Sequence, residues 1–194
     1  MKPSTARELQ AEARRNQLLD LALALFAERG VEHVSIKDLA TEAGVAQGLP
    51  YHYFRSKDEL LVAVFQRHNP LPQLRQVLAE IDGLPAREGL VVFARRLSAL
   101  WPEKRLILRL VLRELLSPRS TLLSQALPAR EEVVIELSAY LQRRIEAGEL
   151  RPHQPSIAVH LLVSSLLTLA LLEQPAEPMI SQMVEMLFEG IQAR

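Results

Sequence analysis

Two short apolar segments joined through a glycine, between residues 35 and 57, constrain the possible folds more than any other feature of the chain. Ser35 and Asp38 have the spacing of a capping box, with Asp in place of the usual Glu, and this marks the start of a helix. The apolar residues that follow at helical intervals are Ile36, Leu39, Ala40 and Ala43. Gly44 permits a sharp turn, after which another short helix reaches about Tyr53. The pattern predicts a helix-turn-helix, in which one short helix braces the next.

The remainder of the chain also has helical periodicity, and no stretch alternates with the period of a β-strand. A first helix has its apolar face over residues 14–29 and ends at Gly30, which suits a C-cap that needs a left-handed residue. Ser56 and Glu59 form another capping box at the start of a fourth helix. We therefore predict an all-α fold that begins with a compact helix-turn-helix head.

A break at Asn69, Pro70 and Pro72 separates this head from longer amphipathic helices. We place the domain boundary there and expect a head over residues 1–67 and a helical domain over residues 68–194. The helices predicted for the second domain span residues 72–82, 86–100, 103–116, 121–147, 155–173 and 177–192.

The detailed string resembles the signature of the TetR family of transcriptional regulators. The matching residues are Ser35-Ile36-Lys37-Asp38-Leu39-Ala40, Ala43-Gly44-Val45, Gly48, Tyr51-His52-Tyr53-Phe54 and Ser56-Lys57-Asp58-Glu59-Leu60. Phe26-Ala27-Glu28-Arg29-Gly30 resembles the end of the family's first helix, so the resemblance covers about residues 14–67. It implies a homodimer that binds double-stranded DNA at a palindromic operator. A small-molecule effector in a C-terminal ligand-binding and dimerisation domain would then release the DNA, as in a repressor.

Roles for individual residues follow from the resemblance and from their positions. Tyr51 and one of His52 or Tyr53 match family positions that contact the DNA backbone. Lys57 lies at a helix N-terminus, where both its charge and the helix dipole favour a phosphate. Residues with further expected DNA contacts are Ser35 and Lys37, which open the bracing helix, Gln47, which can read adenine, and Gly48, which lets the backbone approach the groove.

Structural alternatives stay open for several of these residues. Tyr51 could be a core aromatic, and that is our preferred interpretation of Phe54. His52 and Lys37 could equally be ordinary surface residues.

Three residues depart from the commonest form of the family pattern: Ala46 at the usual cap, Leu49, and Pro50. Proline has no N–H, so it costs no hydrogen bond only within the first turn of a helix. We therefore predict that the recognition helix begins late, at Gln47 rather than Ala46.

The second domain offers two candidate groups of ligand-binding residues. Arg105, Arg109 and Arg113 recur every four residues and could bind an anion, pair with acids or face solvent. His160, Ser164 and Thr168 share a face of the most apolar segment, where the resemblance favours interface packing. Phe93 and Trp101 could line an apolar pocket or simply fill the core.

Composition restricts the remaining possibilities. The 23 basic residues are balanced by 23 acidic ones, so DNA binding must depend on placement and not on bulk charge. The chain has no cysteine, no clustered metal ligands and no grouped acid–base residues, so we expect no enzyme activity, metal or cofactor. Residues 157–172 are apolar but short for a membrane span, and we expect a cytoplasmic protein. The alternative function is a DNA-free helical ligand-binding or interaction protein on the same scaffold.

Overall fold

The computed structural model describes residues 5–115, 117 and 122–191, and these residues form helices joined by short turns, with no β-strand. The α-helices within that part of the chain are α1 (Ala6–Arg29), α2 (Ile36–Glu42), α3 (Gly48–Tyr53), α4 (Lys57–His68), α5 (Leu71–Ile81), α6 (Ala86–Leu115), α7 (Leu123–Glu146), α8 (Pro155–Leu171) and α9 (Glu177–Ile191). A 3-10 turn, Val31–His33, follows α1. The predicted all-α fold is confirmed.

The helices of the head begin and end where local chemistry places their caps. α1 begins after a capping box at Thr5 and ends at Gly30, whose φ of +89° is a conformation that favours glycine. The capping box predicted at Ser35 is present in full. At Ser56 only half of it forms, because the Glu59 carboxylate accepts from the backbone N–H of Arg55 instead of that of Ser56.

The chain divides into two compact units, Met1–Asn69 with Leu106–Ala126 and Pro70–Arg105 with Leu127–Arg194. This division is not a single cut, because α6 and α7 each contribute to both units. The predicted boundary after residue 67 stays a prediction.

The predicted break at Pro102 is wrong, because α6 continues through this proline for 30 residues. A proline inside a helix removes the hydrogen bond to the carbonyl four residues earlier, here Ser98, but it does not force the helix to end. Flanking residues Leu97 and Trp101 are buried at 2% and 9% exposure, so tertiary packing holds the helix through this position.

The second unit has its own apolar core, in which the largest fully buried side chains include Phe93 and Tyr140. The hydroxyl of Tyr140 donates to the carbonyl oxygens of Leu84 and Pro85, 3.0 and 3.1 Å away. Gly89 makes room for this hydroxyl, since a Cβ at that position would lie 2.0 Å from it.

Candidate nucleic-acid interface

The turn between α2 and α3 is fixed by backbone hydrogen bonds and by Gly44. Gly44 has a φ of +63°, and the N–H of the next residue, Val45, donates to the carbonyl of Ala40 at 3.0 Å. The side chain of Phe54, which follows α3, is fully buried. The helix-turn-helix predicted from the sequence therefore has a defined turn and a buried aromatic side chain next to it.

The late start predicted for α3 is confirmed. Gln47 occupies the cap position and Gly48 is the first residue of the helix, which makes Pro50 the third. Pro50 thus lies within the first turn, where its missing N–H has no helical partner to lose. Its ring is buried, while the backbone N–H of Leu49 donates to the carbonyl of Ala46 at 2.9 Å.

One face of α3 is free of packing against the rest of the head. Gly48, Tyr51 and His52 are three and four residues apart, so they share a face, and all three are exposed. Tyr51 is 48% exposed, which excludes a core role for it within this unit. A Cβ at Gly48 would meet nothing within 4 Å, so packing in the head does not require a glycine there.

Tyr53 lies on a different part of α3 from the exposed face. It is half-buried, and its ring centroid lies 5.5 Å from that of His52 in an edge-on arrangement and 6.3 Å from that of Phe54. Of the two neighbours that matched the family's DNA-contacting position, His52 is the one the structure leaves more accessible.

Lys57 has an internal partner that the sequence did not indicate. Its ammonium group donates to the carbonyl oxygen of Val31, 2.9 Å away, and its side chain is half-buried. An ammonium group has three donor hydrogens, so two remain for another acceptor such as a phosphate. Lys57 thereby connects the N-terminus of α4 to the turn after α1.

The two candidates on the bracing helix differ in their availability. The Ser35 hydroxyl donates to the Asp38 carboxylate at 2.7 Å and accepts from the Asp38 N–H at 3.2 Å. The bonds that the carboxylate accepts from the hydroxyl and from the backbone N–H of Ser35 lower the pKa of Asp38. A phosphate would have to compete with Asp38 for the hydroxyl proton. Lys37 is exposed, as is Gln47.

Arg113, expected as a pocket residue, binds the end of α1. Its Nη1 atom donates to the carbonyl oxygens of Ala27 and Glu28 at 3.0 and 2.9 Å. These carbonyls belong to the last turn of a helix, which has no backbone donors for them. Sequence reasoning missed this contact because the partners are some 85 residues apart in the chain.

A cavity of about 510 Å³ lies within the second unit, between α6, the end of α8 and the start of α9. Trp101 and Arg105 line it, whereas Phe93, Arg109 and His160 are not among its lining residues. Phe93 is fully buried and Arg109 is exposed. His160 is exposed too, and its Nδ1 atom lies 2.6 Å from the carbonyl oxygen of Ser156.

Within the described residues, no group of three or more His, Cys, Asp or Glu side chains could hold a metal ion. The described helices also include none with the length and apolar character needed to cross a membrane.

Comparison with known proteins finds a family model that matches part of the head. Residues 18–64 match the model of the bacterial regulatory proteins of the tetR family. The HTH-type transcriptional repressor KstR2 of Mycobacterium tuberculosis is 46% identical over 52 residues, which are 27% of this chain and 26% of that protein. The chain thus spans about a quarter of the length of this curated relative.

Solved structures extend the likeness to the fold of nearly the whole chain. FadR from Bacillus subtilis, solved in complex with stearoyl-CoA, has a TM-score of 0.73 at 20% identity and covers 91% of this chain and 98% of its own. AibR, solved with isovaleryl coenzyme A and operator DNA, has a TM-score of 0.69 at 19% identity, covering 91% and 97%. At these identities the likeness establishes the fold, a helix-turn-helix head joined to a helical C-terminal domain.

Proposed function

We propose that the chain is a transcriptional regulator that binds double-stranded DNA through α2 and α3. The reason is that residues 18–64 match the model of the bacterial regulatory proteins of the tetR family. The observation that carries the proposal is the exposed face of α3. Gly48, Tyr51 and His52 point away from the head, while Pro50 and Phe54 anchor the helix from the other side. A recognition helix needs this division between a supported face and a free one.

The zero net charge is compatible with this function because DNA binding depends on where the cations lie and not on their total. Lys37 and Lys57 sit at the starts of α2 and α4, where the helix dipoles add to their attraction for phosphate. Each phosphate contact releases counterions, so affinity should fall steeply as salt rises.

Selection of bound sequences from a random DNA pool tests the proposal directly. The wild-type chain should enrich a palindrome, and Gln47→Ala should relax the preference at one base pair per half-site while leaving the others. Failure to bind any duplex at low salt would favour the alternative, a DNA-free interaction protein on the same scaffold.

We further propose that the protein acts as a homodimer through α8 and α9. Ile157, Leu161, Ser164 and Thr168 are exposed and follow the four-and-three spacing of a helix-packing seam. On α9, Met179 and Met186 lie seven residues apart and are 44% and 76% exposed. Exposed apolar side chains such as Ile157, Leu161 and these two methionines, with small hydroxyl residues beside them, are typical of an interface between subunits.

Analytical ultracentrifugation of two matched variants tests the dimer. Leu161→Arg introduces a charge into the seam and should give a monomer, whereas Ile135→Arg, on α7, should stay dimeric. The two side chains are 59% and 60% exposed, so the substitutions differ in place and not in burial. A dimer of unchanged strength in Leu161→Arg would refute this interface.

We assign to the C-terminal domain the binding of a small-molecule effector that releases the DNA. The protein we propose is therefore a repressor. We propose further that it is cytoplasmic and is not an enzyme. The cavity in the second unit supports this assignment, as do the solved complexes of FadR with stearoyl-CoA and of AibR with isovaleryl coenzyme A. Helix α6 lines the cavity at Trp101 and supports α1 at Arg113, so one continuous helix reaches both places.

A further inference from the structure

The 510 Å³ cavity has an unusual balance of charge and hydrogen-bonding groups. Its volume falls in the range of roughly 300–1,000 Å³ that is usual for small-molecule sites. Arg95 and Arg105 line it, and in isolation they would attract an anion. Each of them, however, already forms an ion pair at the cavity itself: Arg95 with Glu177 at 2.9 Å and Arg105 with Glu173 at 2.8 Å.

Glu173, whose carboxylate pairs with Arg105 at the cavity, has an unfavourable backbone conformation. It is the only residue other than glycine with a positive φ among those described, at +54°. It ends α8 in a Schellman arrangement, in which the N–H of Gln174 donates to Leu169 and that of Glu173 to Ala170. Glycine is the residue favoured at that position, so a glutamate there is retained at a cost in backbone energy. Its carboxylate, which neutralises Arg105, is what the side chain contributes.

Two of the residues that line the cavity carry a donor without a partner. The indole N–H of Trp101 and the hydroxyl of Ser98 are both buried, and neither makes a hydrogen bond. Trp101 as a whole is 91% buried, since its exposure is 9%. Buried donors without acceptors are costly, so a bound acceptor that reached either of them would be favoured.

Pro102 leaves an acceptor, the carbonyl oxygen of Ser98, without its helical donor next to these groups. It has no N–H to offer the carbonyl of Ser98, four residues earlier in α6, and both residues line the cavity. The other walls are largely apolar, with Leu166, Ala170 and Ala176 among them.

We propose that this cavity binds a neutral, largely apolar molecule that carries a hydrogen-bond acceptor such as a ketone or ester oxygen, received by Ser98 and Trp101. The two ion pairs at the cavity leave no uncompensated positive charge for an anion. Only the treatment of the bound molecule as an effector rests on the proposed function. Binding itself does not, because it can be measured without DNA.

Three ligands of equal chain length provide the test: decan-2-one, decanoate and decylammonium. Trp101 is the only tryptophan of the chain, so its fluorescence reports on this cavity alone. Decan-2-one should change the fluorescence saturably and bind at least about tenfold more tightly than either ion, since an ion must give up its hydration among largely apolar walls and also compete with an existing pair. Equal or tighter binding of decanoate would overturn the proposal, and so would the absence of binding by all three.

Matched serine variants test the role of Ser98. Ser98→Ala should weaken decan-2-one by about two- to tenfold, the loss expected for one neutral hydrogen bond. Ser138→Ala is the control, because its hydroxyl is also buried without a partner but does not line the cavity. Equal effects of the two variants would count against the assigned role of Ser98.

A charge variant tests the explanation given for Glu173. Glu173→Gln leaves Arg105 uncompensated and should strengthen decanoate binding by about tenfold or more. Glu185→Gln, which disrupts the ion pair with Arg87 away from the cavity, should leave it unchanged. Unchanged decanoate binding in Glu173→Gln would refute the charge argument.

Separate outcomes distinguish this proposal from the proposed regulator function. Binding of decan-2-one by a chain that selects no DNA would support the site and refute the regulator. Selection of a palindrome by a chain that binds none of the three ligands would support the regulator and refute the site.

Discussion

The ammonium group of Lys57 donates a hydrogen bond to the carbonyl oxygen of Val31, 2.9 Å away. Val31 opens the turn after α1, and Lys57 opens α4. A single side chain thus connects two elements of the head at the place where a phosphate contact is proposed. Lys57 should therefore affect both the stability of the head and its binding of DNA.

Lys57→Met should separate that dual role from a simple loss of charge. It keeps the side chain's length but removes the donor, so the free energy of unfolding should fall by about 1–2 kcal/mol in urea titrations. Affinity should fall alike for all DNA sequences, and the slope of log K against log salt should decrease by about 1. Lys37→Met, at an exposed position, is the control and should reduce affinity without loss of stability. An unfolding free energy unchanged in Lys57→Met would mean that the bond to Val31 contributes nothing.

Gly48→Ala should strengthen the fold while weakening DNA binding. Gly48 begins α3 with open space where a methyl group would be placed, so alanine should raise the unfolding free energy by up to about 1 kcal/mol. The added methyl would stand on the face proposed to meet the groove, and titrations by fluorescence anisotropy should show a lower affinity.

Gly44→Ala is the matched control for Gly48→Ala. A methyl group there would also meet nothing within 4 Å, but the φ of +63° is unfavourable for alanine, so stability should fall by about 1 kcal/mol. Full DNA affinity in Gly48→Ala would place the backbone of Gly48 away from the DNA.

Arg113→Met should loosen the end of α1. The substitution removes the donor to the carbonyls of Ala27 and Glu28, and leaves those carbonyls to water. Amide hydrogen exchange should accelerate in the last turn of α1, and the unfolding free energy should fall by roughly 1–2 kcal/mol. Arg109→Met, one turn earlier on the exposed surface of α6, should change neither quantity. The same exchange rates in both variants would show that Arg113 does not support α1.

Tyr140 should give the second unit a dependence on alkaline pH. Burial raises the pKa of its hydroxyl to about 12 from an ordinary value of 10.0. The folded state therefore holds this proton more tightly than the unfolded state, and the resulting stability is fully present below pH 10.0. It is lost progressively as the pH rises through about 12.

Tyr140→Phe measures that contribution. The variant should be less stable near neutral pH by about 1 kcal/mol, because the carbonyls of Leu84 and Pro85 lose a donor. Between pH 10.0 and about 12 its stability should decline less steeply than that of the wild type in urea titrations. Parallel declines for the two proteins would assign the alkaline transition to other groups.

Sequence reasoning succeeded at features set by a few neighbouring residues. The capping box at Ser35, the cap at Gly30 and the late start of α3 all follow from local rules about donors, acceptors and φ. Pro50 was informative because the cost of a proline depends on its position in the helix.

The features that sequence reasoning missed depend on residues far apart in the chain. The bonds from Lys57 to Val31 and from Arg113 to α1 leave no periodic pattern in the sequence. The break predicted at Pro102 is wrong for a related reason. The local rule gives the cost of a proline inside a helix, whereas the buried neighbours that offset this cost belong to the tertiary fold. For the candidate site, the pattern predicts which residues of α3 could reach DNA. It does not predict that the ammonium group of Lys57 already donates a hydrogen bond within the head.

The passage of α6 through both compact units limits how such a protein can be recombined. A graft that joins this head to a foreign effector domain at the break after Asn69 would leave Arg113 behind. The end of α1 would then meet whatever residue the new partner supplies at that position. Chimaeric regulators built from this chain should therefore retain the segment from Leu106 onward with the head, or carry an arginine at the corresponding turn of the incoming helix.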